Sequence, residues 1–129
     1  FPDYEALEQR YYEQTRVYPI MHIIAVRKAV LDGKPWVARN LYNAFEESKR
    51  RSLDRILDPA VSRYPIPWLT SYALRMQQMF DGDLFPYGIE ANRPTLELFL
   101  RYAYEQGIAH RLAKPEEIFP AGIMASAKV

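Results

Sequence analysis

Apolar residues recur at spacings of three and four along most of this chain, and the first such stripe is Tyr4, Leu7 and Tyr11. With Asp3 placed to cap it, the stripe predicts a helix over 3–15. The pattern then changes. From Val17 to Val26 the chain reads Val-Tyr-Pro-Ile-Met-His-Ile-Ile-Ala-Val, nearly continuous in apolar and β-branched residues, which predicts a strand over 17–27 covered on both faces. No second segment reads convincingly as a strand, so the backbone N–H and C=O groups of this one call for partners from elsewhere. Those partners are expected to be upstream residues of the same protein or the same segment of a second copy, a homo-oligomer.

Helical spacing returns downstream. A short turn through Leu31 meets Asp32-Gly33-Lys34-Pro35, where glycine stops one element and Pro35 opens a long helix over 35–57. Val37, Leu41, Ala44, Phe45, Ser48, Ser52, Leu53 and Ile56 fall on its inner face, and Lys49-Arg50-Arg51 is expected on the solvated one. Asp58-Pro59 and Pro65-Ile66-Pro67 keep 58–68 out of helix, and Thr70 or Ser71 then caps a helix over 69–80. After a loop carrying Phe85-Pro86-Tyr87-Gly88, Asn92 is expected to cap a helix over 93–106 with Pro94 in its first turn and Gly107 just past its end. Pro115 to Phe119 adds a helical turn, and 120–129 is expected to fray. The chain is therefore expected to be mainly α with one strong strand, a single C-terminal fragment over 1–129 whose sheet lies mostly outside it.

Composition narrows what such a chain does. With 129 residues, 49% hydrophobic and 26% charged, it has the makings of a folded domain with a single core and not of a disordered segment. Seventeen basic against sixteen acidic residues give a net charge of +1, which argues against a nucleic-acid partner. No apolar run approaches the ~20 residues that span a bilayer, so no membrane partner is expected. There is no cysteine, which removes disulfides, thiolate metal sites and thiol nucleophiles together. The chain opens on Phe1-Pro2-Asp3, in what reads as a loop entering a helix, and upstream residues are expected to have been removed.

Candidate chemistry rests on polar residues in improbable places. His22 interrupts the apolar run, either as a satisfied core histidine or as a group facing a cleft. Glu90, Asn92 and Arg93 cluster where a helix starts, either as a cap with solvated charges or as an anion site, since amide N–H groups, the positive helix end and a guanidinium all favour a carboxylate. Tyr18 and Tyr87 read as packing residues with hydrogen-bonded hydroxyls, and His110 as an exposed loop residue. Two distant histidines without a carboxylate at ligand spacing give no metal site, and neither a glycine-rich phosphate loop nor a G-x-S-x-G elbow is present.

The run Pro86-Tyr87-Gly88-Ile89-Glu90-Ala91-Asn92-Arg93-Pro94-Thr95-Leu96-Glu97, continuing through Phe99, Tyr102 and Tyr104-Glu105-Gln106-Gly107, resembles the C-terminal region of the 4,5-dihydroxyphthalate decarboxylase family. Tyr18-Pro19-Ile20-Met21-His22, Pro35-Trp36-Val37-Ala38, Leu41 to Lys49 and Pro67-Trp68-Leu69 resemble it in the same order. The resemblance implies the C-terminal part of a bilobal α/β fold of the periplasmic-binding-protein type II kind, with 17–27 as a strand crossing between lobes and His22 near the cleft. It implies, for the full-length protein, decarboxylation of a hydroxylated aromatic dicarboxylate without a cofactor, this piece alone being inactive. On that implied site His22 is the acid or base, Arg93 the carboxylate anchor, Glu90 or Tyr87 a hydroxyl partner and Tyr18 a further substrate contact. The implied partners are a small aromatic carboxylate and the missing N-terminal part, in the cytoplasm. The alternative is a non-catalytic solute-binding protein for an aromatic acid, periplasmic if the full gene carries a secretory leader.

Overall fold

The computed structural model describes residues 2–61 and 63–120, with a helix content of 59%. Its elements are α1 (Tyr4–Thr15), α2 (Lys28–Leu31), α3 (Trp36–Leu57), α4 (Leu69–Met79), α5 (Ile89–Glu105) and α6 (Pro115–Ile118). Arg39–Pro86 forms one compact unit, and the described residues on either side of it form another. The expected tail over 120–129 lies outside the described residues beyond Pro120.

No strand occurs among the described residues, which overturns both the strand over 17–27 and the α/β binding-protein fold that the resemblance implied. The physical reason is the one that made the strand demanding. An apolar run becomes a strand only where another backbone takes up its N–H and C=O groups, and none does so here. The segment runs without regular structure, and Ile20, Met21, Ile23 and Ile24 are all exposed. Instead of a ladder, the Tyr18 N–H donates to the Thr95 hydroxyl oxygen on α5 at 3.1 Å.

That contact belongs to the unit whose core lies on α5. Ile89 is 2% exposed and Leu96 and Thr95 are nearly as enclosed, with the ring of Pro115 from α6 also buried. Burying one such aliphatic side chain contributes about 1.5–3 kcal/mol. The start of α5 corrects the expectation that Asn92 caps it. The helix begins at Ile89 with Gly88 as its N-cap at φ 98°, and Pro94 lies inside it. The earlier start turns Ile89 inward, and the Asn92 side chain donates from Nδ2 to the Gly88 carbonyl at 2.9 Å. Gly107, at φ 73°, ends the helix, with the Ile108 N–H reaching back to the Ala103 carbonyl at 2.9 Å. The α1 stripe of Tyr4, Leu7 and Tyr11 is exposed, and Asp3 makes no side-chain cap bond.

In the Arg39–Pro86 unit, α3 is the longer helix and α4 carries the one buried apolar residue among those described, Ala73. Thr70 is not a cap. The helix starts a residue earlier behind Trp68, and the Thr70 hydroxyl donates instead to the Ile56 carbonyl at 3.1 Å, joining the end of α3 to α4. Asp81 and Gly82, at φ 55° and 95°, end α4, with the Gly82 N–H on the Gln77 carbonyl at 2.8 Å.

Candidate functional site

A polar cluster that joins α5 to α6 surrounds Arg93, one turn into α5. Its Nη2 donates to Glu90 Oε1 and to Glu116 Oε1, each at 2.6 Å, its Nε to Glu90 Oε2 at 3.3 Å and its Nη1 to Glu97 Oε1 at 3.3 Å. Helical spacing places Glu90 and Glu97 on the Arg93 face of α5, while α6 brings in Glu116. The short helix α6 is itself pinned. Glu117 accepts the Lys114 N–H at 2.6 Å and pairs with Arg111 Nη1 at 2.8 Å.

Three carboxylates around one guanidinium leave the cluster with a surplus of negative charge. Hydrogen bonds from Arg93 hold Glu90 and Glu116 below the usual carboxylate range, and those carboxylates, Glu90 first, push the guanidinium above its own. Glu90 is thus a hydrogen-bond acceptor and a weak proton acceptor. An incoming carboxylate reaches Arg93 only by replacing one of its glutamates, so the arrangement is a knot between helices before it is an anion site.

Of the residues singled out from the sequence, Glu90 and Arg93 are in direct contact. Tyr18 is held by its backbone to Thr95, two residues beyond Arg93, with its ring edge-on to Tyr12 at 6.3 Å and 88°. Tyr87 precedes the helix start and is half-buried. His22 is exposed and is not part of the Arg93 network, as His110 is also exposed. Among the described residues no group of three or more His, Cys, Asp or Glu is arranged to hold a metal ion, and no helix is long and apolar enough to cross a membrane.

Sequence reading missed Lys49. It placed Lys49-Arg50-Arg51 together on the wet face, yet the three part company. Arg50 and Arg51 are exposed and pair with Glu47, and Arg50 also with Asp54. The Lys49 side chain is only 13% exposed, and its Nζ donates to Asp83 Oδ1 at 2.9 Å, Asp83 Oδ2 at 3.0 Å, the Phe85 carbonyl at 3.1 Å and Glu46 Oε1 at 3.2 Å. Burial and the charge of Glu46 push the nearby Tyr42 phenol above its usual range. The signal was present in the spacing. Tyr42, Glu46 and Lys49 lie four and three apart, on one helix face, with Arg50 at its edge and Arg51 on the far side.

No known-family model matches the chain. Over all 129 of its residues the chain is 28% identical to a protein of Comamonas testosteroni described as 4,5-dihydroxyphthalate decarboxylase. The match lies in that protein's C-terminal region and covers 39% of it, so the chain spans about two fifths of the length of this curated relative. The likeness is therefore to a carboxy-lyase, and the particular relative is the one whose C-terminal region the sequence had already suggested.

Proposed function

We propose that this chain acts as the C-terminal part of a carboxy-lyase that removes CO2 from a hydroxylated aromatic dicarboxylate of the 4,5-dihydroxyphthalate kind. The observation that carries the proposal is the 28% identity extending over the whole chain to a decarboxylase of that name. The chemistry is self-consistent. Each carboxylate of such a substrate lies para to a hydroxyl, which on losing its proton pushes an electron pair toward the ring carbon. That pair takes a proton from an acid at the carbon, the bond from the carbon to the departing carboxylate then breaks, CO2 leaves, and the bonding pair returns to the ring and restores its aromaticity.

The roles assigned are these. Arg93 holds the carboxylate that stays, exchanging Glu116 or Glu90 for it. Glu90, kept ionised by Arg93, accepts a hydrogen bond from a phenolic hydroxyl, with Tyr87 and Tyr18 alongside. His22 carries the proton. Because His22 is exposed in this chain, the remainder of the protein supplies the wall that turns it toward the ring, packing over the exposed Ile20, Met21, Ile23 and Ile24.

The test is CO2 release from 4,5-dihydroxyphthalate by the full-length protein. His22→Ala is expected to lower turnover by roughly 10²- to 10⁴-fold with unchanged helical circular dichroism. Arg93→Ala is expected to raise KM more than it lowers kcat. Tight binding of the substrate with no CO2 release would replace the enzyme by a non-catalytic carrier.

A further inference from the structure

Where α3 ends and α4 begins, a hollow of about 240 Å³ opens within the Arg39–Pro86 unit. Its wall includes Arg55, Arg63, Asp58, Tyr64, Trp68 and Thr70. Several arginines of the chain have acidic partners: Glu47 serves Arg50 and Arg51, Glu105 serves Arg101 and Glu117 serves Arg111. Among the described residues Arg55 and Arg63 have none. The one carboxylate on the wall, Asp58, accepts the Ala60 N–H through Oδ1 at 2.9 Å, holding the turn that follows α3. The wall therefore carries two positive charges against one negative.

The second feature of the hollow is its rings. Trp68 is 83% exposed, the largest such value among the exposed large hydrophobic side chains. Its backbone adopts the left-handed conformation, φ 60° and ψ 10°, which a bulky residue rarely holds, and Trp68 lines the hollow. A planar ring against Trp68 and Tyr64 removes apolar surface from water, and a carboxylate on that ring meets guanidinium donors suited to paired hydrogen bonds. The volume falls below the roughly 300–1,000 Å³ of pockets for drug-sized ligands, which suits a single ring.

We infer that this hollow binds a single-ring aromatic carboxylate, its ring on Trp68 and Tyr64 and its carboxylate between Arg55 and Arg63. The inference concerns capture alone and does not depend on the decarboxylase proposal, whose residues belong to the other unit. Asp58 limits the affinity by opposing the anion.

The test uses the intact chain carrying Trp36→Phe, so that Trp68 is the sole tryptophan, with phthalate, which lacks the hydroxyls, as the probe. Emission from Trp68 is expected to change saturably with phthalate. Arg55→Gln with Arg63→Gln is expected to weaken the apparent affinity at least tenfold while the helical circular dichroism is unchanged. Asp58→Asn keeps the acceptor for the Ala60 N–H and is expected to tighten binding severalfold, a direction that damage to the fold does not produce. No saturable change overturns the proposal, as does equal affinity in the folded double variant. If the double variant does not fold, unchanged or weaker binding by Asp58→Asn overturns it. Phthalate binding by the chain, together with no CO2 release from 4,5-dihydroxyphthalate by the full-length protein, supports the hollow and removes the decarboxylase reading.

Discussion

The segment over 17–27 is nearly continuous in apolar residues while the first half of α5 carries only a few among polar ones, and their aliphatic side chains end in opposite places. Ile23 is 73% exposed and Ile24 53%, whereas Ile89 and Leu96 are 2% and 6% exposed. Intrinsic hydrophobicity does not separate them. What does is where each backbone finds its hydrogen bonds: α5 satisfies its own N–H and C=O groups along the helix and is free to turn one face inward, while the 17–27 segment needs a neighbour. A helix can bury its stripe against little; a strand cannot exist alone.

The comparison breaks most easily at Ile89. Replacing Ile89 by Ala is expected to cost about 2–4 kcal/mol in urea unfolding, as for other buried aliphatic truncations. Ile23→Ala in the same chain is expected to stay within about 0.5 kcal/mol. Equal losses at the two positions would mean that the segment is as buried in solution as α5. The full-length protein sharpens the point, since there the proposed covering of 17–27 predicts that Ile23→Ala becomes costly too.

A smaller effect is expected at a bond that ties the two regions. Thr95→Val keeps the shape but removes the oxygen that accepts the Tyr18 N–H, an expected loss of about 1 kcal/mol. Hydrogen exchange at Tyr18 should quicken well beyond that at neighbouring amides. An unchanged Tyr18 rate would show that the segment is held by something other than Thr95.

The smallest effect is that of acid on the Arg93 knot. Glu90 and Glu116 are held below their ordinary value of 4.5, so their stabilising contribution is present above that pH and is lost as pH falls through their lower folded values. Exposure and salt screening keep it small. Amide exchange in α6 is expected to quicken as pH falls below 4.5, relative to the core of α5, and to do so less in Arg93→Gln. Quickening on raising the pH would reverse the sign of the linkage.

How much of this was legible in the sequence follows from the same contrast. Local rules sufficed where an element closes on itself: Asp32-Gly33 and Pro35 frame the start of α3, and Gly107 ends α5. They failed where a partner decides. Continuous apolar character over 17–27 specifies burial but not the backbone that would provide it, and the strand was inferred from the first without the second. The caps at Asn92 and Thr70 were misplaced because both side chains bond to carbonyls, of Gly88 and Ile56, instead of to the orphan amides of a first turn. At the candidate site, the clustering of Glu90 with Arg93 was readable from their closeness in sequence, although the helix that carries both was expected to begin only at 93. The arrival of Glu116 from α6, which turns an anion site into a closed ion cluster, was not.

The Lys49 latch bears on the order in which its unit assembles. It joins residues 34 apart in sequence, while the Thr70 bond to Ile56 joins residues 14 apart. Loop-closure entropy makes the longer connection costlier by about 0.8 kcal/mol when both are formed from an open chain. Once the shorter contact has set α4 against the end of α3, the chain still to be closed is far shorter. Folding that begins at the α3–α4 corner therefore reaches Lys49 last, and unfolding by the same route releases it first. The 83–85 stretch would then come free while both helices stand, so that a single amine, surrounded by acceptors, times the opening of a loop whose own residues form almost no core.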